Sequence, residues 1–293
     1  MNHIASEEHF ADLGDSRLFY RLAGTPGALP DFVLEHGGAG SADHWSELAP
    51  LLAAHARVLS YDRAGMGQSR ADGRGYEAQA VNERLARLLE HAGIRKPFIL
   101  VGYSLGGLYS RHYAQAHAQD LAGLVLLDAS PTGMQIPPDA HRRLMRMLRW
   151  LHWLARLGLG GLYLRLMGQR SDSAKARRGV RRFAERDFLA CMSAEFLAIP
   201  LIQAEVERLA ATPVHPTLAV LAGTAPAGMP ADVFAGLRRM QDRLAQAAPA
   251  PLSRQVVIDD AHHGNILSDA GHAAQVADHL LAFARSLDQG HAA

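Results

Sequence analysis

Five residues, Gly102-Tyr103-Ser104-Leu105-Gly106, constrain this chain more tightly than any other feature. An apolar run, Phe98-Ile99-Leu100-Val101, leads into them, and a helix-like segment follows from Gly107. A strand that enters a helix through G-x-S-x-G must turn sharply, and the turn lifts the serine above the sheet edge. Glycines at 102 and 106 remove side chains where the turned backbone is crowded. Ser104 is thereby presented as a nucleophile, and the chain reads as an enzyme.

The remainder supplies a sheet for that turn. Short apolar runs alternate with helical patterns, as in a mostly parallel sheet covered on both faces. Strands are expected at 16–21, 32–35, 57–61, 98–103, 124–127, 218–221 and 256–258, most followed by polar or glycine-rich residues. Open α/β sheets place their ligands beyond such strand ends. Val81, Leu85, Leu88 and Ala92 share one helical face that Gly93 should stop, and Val276, Leu280, Phe283 and Leu287 mark a final helix. Between Asp128 and Thr217 the pattern changes to several helices with no convincing strand. At 293 residues, one large domain with an insertion is the economical reading. The core is expected at 1–130 and 214–293, with a helical cap at 131–213.

Charge and cysteine content narrow the function. The formal charge of +1 gives no global case for nucleic-acid binding, and Cys191 alone cannot form an internal disulfide or a cysteine-cluster metal site. Met1 to Glu8 lack the apolar run of a secretory signal, and no stretch approaches the roughly 18 apolar residues of a membrane span, so a cytoplasmic location is the default expectation. Within the cap, residues 131–182 carry twelve Lys and Arg against only Asp139 and Asp172. Arg142, Arg143, Arg146 and Arg149 interleave with apolar residues. A solvated basic face over one buried stripe explains this pattern. The sharper reading makes Trp150, Trp153, Leu157, Leu159 and Leu162 a greasy entrance, with weak contact to an anionic membrane surface.

A serine hydroxyl needs a base, and imidazole titrates near neutral pH. His262 and His263 follow the last expected strand; His263 is the favoured base and His262 the alternative. The imidazole needs a carboxylate to fix its tautomer. Asp128 ends the strand after the serine unit, whereas the loop after 218–221 offers no acid until Asp232, which looks like a helix N-terminal residue. Asp259 and Asp260 are further candidates. For the oxyanion, the amides of Leu105 and of Gly38, in His36-Gly37-Gly38-Ala39-Gly40, are the expected donors. His36 is read as bracing that loop, and Asp62 as holding the Asp62-Arg63-Ala64-Gly65-Met66-Gly67 turn, with Arg63 paired.

In this order, the elements resemble the α/β-hydrolase family over roughly residues 16–287, in its capped esterase-like branch. The resemblance implies a mostly parallel eight-stranded sheet flanked by helices, with an inserted helical cap. It implies hydrolysis of a small, apolar ester-like substrate through a covalent acyl-enzyme, with Ser104 as nucleophile, His263 as base, and Gly38 and Leu105 as oxyanion hole. The family's usual carboxylate follows the penultimate strand, where this sequence lacks one; some relatives place it one strand earlier, which matches Asp128. Serine at the elbow argues against the dehalogenases and epoxide hydrolases of the family, which use aspartate there. Amide, lactone or C–C bond hydrolysis would use the same residues, and a non-enzymatic small-ligand receptor could use the same scaffold. No metal or organic cofactor is required.

Overall fold

The computed structural model describes residues 6–133, 142–143, 146–147, 149–150, 153–154, 157, 159, 186–209, 214–246, 248 and 252–290. Its strands are β1 (Glu7–Asp12), β2 (Arg17–Ala23), β3 (Phe32–Glu35), β4 (Val58–Tyr61), β5 (Phe98–Tyr103), β6 (Leu121–Leu127), β7 (Thr217–Ala222) and β8 (Arg254–Ile258). They form one eight-stranded sheet in the order β1-β2-β4-β3-β5-β6-β7-β8. The β1–β2 and β2–β4 pairs are antiparallel, and the other pairs are parallel. The packed helices are α1 (Leu48–Ala53), α2 (Ala78–His91), α3 (Gly106–Ala116), α4 (Arg186–Leu209), α5 (Ala231–Gln246) and α6 (Ala270–Gly290).

Strands β3 to β7 are buried at every position because both faces of the sheet are covered, and β5 and β6 are accordingly apolar runs. Along β5, Ile99 and Val101 join Trp45, Leu48 of α1 and Phe283 of α6 in one core. Phe98 and Leu100 point the other way, into a second core with Leu85 and Leu88 of α2 and Tyr113 of α3. Helix α2 ends as its sequence predicts. Gly93 adopts φ +63°, and the Gly93 and Ile94 amides donate back to Glu90 and Leu89 at 3.1 and 3.0 Å, a Schellman closure.

β1 is a strand that periodicity does not reveal. Its sequence, Glu7-Glu8-His9-Phe10-Ala11-Asp12, is mostly polar because it lies at the sheet edge, where only Ala11 is buried. Backbone pairing with β2, from Glu7 opposite Leu22 to Asp12 opposite Arg17, holds it in place.

Much of the expected cap at 131–213, including Leu162, lies outside the described residues. Among those described there, 142–143, 146–147, 149–150 and 153–154 are helical, and Arg142, Arg143, Arg146, Arg149, Trp150 and Trp153 are exposed. Contrary to the sequence expectation, the stretch Asp187–Leu209 of α4 is long and apolar enough, by length and composition, to cross a membrane. In this fold it packs on α3: Leu189, Met192, Ile202 and Val206 share a third apolar cluster with Leu105, Leu108 and Tyr109.

The double-faced core makes a direct prediction. Leu100→Ala, at a fully buried position, should cost about 2–5 kcal/mol in urea unfolding. Phe10→Ala, on a side chain 45% exposed at the edge, should cost clearly less. Equal losses would contradict the two-sided packing.

Candidate active site

The turn after β5 is strained and closely packed. Ser104 has φ +54°, and the other non-glycine residues with positive φ among those described are Ala39 at +49° and Asp128 at +41°. All three lie at the same end of the sheet, on the loops that follow β3, β5 and β6. Such backbone costs on the order of 1–3 kcal/mol per residue and persists only where surrounding packing imposes it. Gly106 shows how tight that packing is. A Cβ there would sit 2.4 Å from the Glu35 carbonyl oxygen, so only glycine lets the first turn of α3 press on the end of β3.

Sheet register brings residues 104 and 128 together. Tyr103 of β5 is paired with Leu127 of β6, so Ser104 and Asp128 are the next residues on neighbouring parallel strands. The Ser104 amide donates to Leu127 O at 3.2 Å, and the Asp128 amide donates to Val220 O at 2.7 Å. His263 arrives from the loop after β8. Its Nε2 lies 3.0 Å from Ser104 Oγ, and its Nδ1 lies 2.6 Å from Asp128 Oδ2. In the neutral tautomer that fits this geometry, Nδ1–H donates to the carboxylate and the Nε2 lone pair faces the serine hydroxyl. The Asp128 side chain is 7% exposed and that of His263 is 40% exposed, so the carboxylate is sheltered while the imidazole stays open to a reactant.

Two neighbours that carry no sequence signature steady this line. Gln241 of α5 donates from Nε2 to Asp128 Oδ1 at 3.3 Å and to Ala129 O at 3.1 Å, and the Ala222 amide also donates to Oδ1 at 3.3 Å. Tyr103, the unspecified residue of the elbow motif, stacks on the His263 ring at 5.1 Å and 21° and donates its hydroxyl to His263 O at 2.5 Å. Burial, with the Asp128 charge adding to it, pushes the Tyr103 phenol up from its ordinary value, so it remains a donor.

The other candidates fall elsewhere. The His262 amide donates to Asn265 Oδ1 at 2.7 Å and its Nδ1 accepts the Gly264 amide at 3.1 Å, which engages the ring in its own turn. Asp232 is exposed in the first turn of α5, and Asp259 and Asp260 are exposed beyond β8.

The glycine-rich loop after β3 closes the opposite side. Gly37 packs against the serine, since a Cβ on it would meet Ser104 Cβ at 3.2 Å. Among the described residues, no protein acceptor takes the Gly38 or Leu105 amide. His36 is fully buried; Nδ1–H donates to Gly37 O at 2.8 Å and Nε2 accepts the Arg63 amide at 3.2 Å. Burial, then the neighbouring Arg63 charge, pushes its pKa well below the usual imidazole value and keeps it neutral. Asp62 holds the following turn, accepting the Ala42 and Gln68 amides at 2.6 Å each. Arg63 is buried in contact with Glu35 and, at 2.8 Å, with Glu195 of α4. Burial alone would favour a neutral guanidine, but Glu195 and Glu35 outweigh it and raise the Arg63 pKa. The Glu35 carboxyl is itself pushed up by burial, against the pull of Arg63, and accepts the Tyr61 hydroxyl.

A strand–serine–helix elbow, a histidine after the last strand and a carboxylate on the adjacent strand, set in this sheet order, are the hallmarks of an α/β hydrolase. The sequence model of the alpha/beta hydrolase fold matches residues 30–178, and the chain belongs to that family. It is 37% identical over 107 residues to a pimeloyl-[acyl-carrier protein] methyl ester esterase of Vibrio vulnificus, a match covering 36% of this chain and 40% of that protein. It is 28% identical over 139 residues to monoacylglycerol lipase abhd6-B of Xenopus laevis, covering 47% and 41%. The matched region thus spans less than half the length of these curated relatives. Among solved structures, the lip1 protein of Acinetobacter baumannii AYE shares the fold with a TM-score of 0.72 at 20% identity, over 97% of this chain and 93% of that one.

The buried imidazoles give the protein a pH signature. His36, His112 and His215 all titrate below the ordinary value because burial disfavours the cation. The unfolded chain takes up those protons near pH ~6.5 while the folded chain does not, so stability is full above that pH and declines below it. Glu35, raised by burial, works the other way over the same window, so the test is by difference: His112→Asn should lose less melting temperature than wild type between about pH 7 and about pH 5, and an equal loss would contradict the burial of that ring as a neutral group.

Proposed function

We propose that this protein is a serine hydrolase that cleaves carboxylic esters with an apolar acyl group through a covalent acyl-enzyme. The reading rests on one observation above the rest: the unbroken line from Asp128 Oδ2 through the His263 ring to Ser104 Oγ, at 2.6 and 3.0 Å. His263 Nε2 accepts the Ser104 proton as Oγ attacks the ester carbonyl, and Asp128 stabilises the imidazolium that forms. The Gly38 and Leu105 amides donate to the oxyanion of the tetrahedral intermediate. The imidazolium then gives its proton to the departing alkoxide, which leaves as the alcohol. Water enters, loses a proton to His263 and attacks the acyl carbonyl, and collapse of the second intermediate returns the proton to Ser104 and releases the acid.

The surroundings of the donors support an apolar acyl group. A Cβ on Gly38 would meet Leu105 Cδ2 at 3.4 Å and Phe196 Cε1 at 3.5 Å, so hydrocarbon walls the oxyanion loop. By their names, the two relatives act on a methyl ester and on a monoacylglycerol, which supports ester chemistry here.

Hydrolysis of p-nitrophenyl esters of increasing acyl length tests this reading. Ser104→Ala should lower kcat by about a thousandfold or more without lowering the melting temperature. Full turnover by that variant would reject Ser104 as nucleophile. Asp128→Asn should cost on the order of 10⁴ in kcat, whereas Asp232→Asn should stay within roughly twofold, since an exposed helix-end carboxylate acts only through a weak dipole term. The reverse ranking would move the acid to the later loop.

A further inference from the structure

Three consecutive peptides of the glycine-rich loop are gripped from behind by one buried ion cluster, and part of that cluster belongs to α4. Arg63 donates from Nη1 to His36 O and from Nη2 to Gly37 O, each at 2.7 Å. A trans peptide points its C=O and N–H in opposite directions. Drawing the Gly37 carbonyl toward the guanidinium therefore turns the Gly38 N–H away from Arg63. The next peptide is held by its N–H: the Ala39 amide donates to Glu195 Oε2 at 2.6 Å, while Glu195 Oε1 accepts from Arg63 Nε at 2.8 Å. Ala39 sits at φ +49°, a left-handed conformation that alanine does not hold unaided.

Charge balance does not account for Glu195. Glu35 already pairs with Arg63, and both carboxylates are fully buried, where an additional ionised group is expensive to desolvate. What Glu195 adds is the bond to the Ala39 amide. Its helix also supports the other expected donor, because Leu105 lies in the apolar cluster that α4 makes with α3, and Ala39 packs against the same cluster.

We infer that Glu195 is a positioning residue for the oxyanion hole, which orients the Gly38 donor through Arg63 and Ala39 and so makes that hole depend on the docking of α4. The inference rests on the serine-hydrolase reading above. Its mark is selective damage to transition-state binding. Loss of Glu195 should lower kcat and leave KM nearly unchanged. It should also erode discrimination between an ester and its thionoester, because sulfur accepts hydrogen bonds poorly and an intact hole penalises it. A residue that merely stabilised the fold would leave that discrimination intact in the folded fraction.

The test compares wild type, Glu195→Ala, Glu195→Gln and Ser104→Ala on one p-nitrophenyl ester and its thionoester, with thermal melts alongside. Glu195→Ala should lose about tenfold to a hundredfold in kcat on the ester, and the ester-to-thionoester rate ratio should shrink by a similar factor. Glu195→Gln keeps an oxygen for the Ala39 amide but lacks the charge that holds Arg63, and should fall between alanine and wild type. If the alanine variant does not fold, the glutamine variant carries the test. Wild-type kcat and a wild-type ratio in the folded variants overturn this inference alone, provided Ser104→Ala is inactive. Turnover by Ser104→Ala would instead overturn the hydrolase reading on which it rests.

Discussion

The structure turns on the backbone reversal at Ser104. A left-handed serine between a buried strand and a buried helix is unfavourable in isolation, and here it is imposed by contact. Gly106 lets α3 approach the β3 carbonyls, and Gly102 makes room for Ser110 and for Gly107, which would crowd any side chain at that position. With the turn fixed, the hydroxyl sits above the sheet where the ends of β3 and β6 deliver the glycine loop and Asp128. The left-handed geometry of Ala39 and Asp128 belongs to the same crowded corner. Strain is concentrated where the proposed chemistry needs rigid placement, and two continuous apolar cores hold the sheet beneath it.

Legibility in the sequence followed the kind of interaction involved. β5 and β6 were readable because strands buried on both faces are apolar throughout, and α2 because its stripe and its stop at Gly93 are local features. The family resemblance supplied the eighth strand, but β1 itself was not located, since an edge strand held by backbone pairing needs no apolar pattern. At the site, the elbow announced Ser104, and strand ends narrowed the base to two histidines and the acid to a few aspartates. The choice between Asp128 and Asp232 turns on the lateral register of β5 against β6, which no local pattern encodes. Gln241 and Glu195 were unreadable for the same reason. Each is a polar residue in an otherwise ordinary helix, and its meaning comes from a partner more than a hundred positions away.

The α4 helix joins these observations to specificity. It is apolar enough to resemble a membrane segment; one face packs on α3 and the loop beside the serine, while Leu197, Leu201 and Leu209 stay exposed. Its buried face carries Glu195 to Arg63 and Ala39, and places Phe196 over Gly38. One helix thus bears both on the shape of the proposed acyl site and on the orientation of its hydrogen-bond donors. Substitutions that move α4 are expected to alter selectivity and rate together.

The most direct measurement of the central claim is intact-mass and peptide mapping after brief exposure to a fluorophosphonate. The account predicts one adduct per chain, carried by the side chain of Ser104 and formed far more slowly when His263 is replaced by alanine. An adduct on any other residue, or an active enzyme whose Ser104 remains unmodified under saturating reagent, would contradict it.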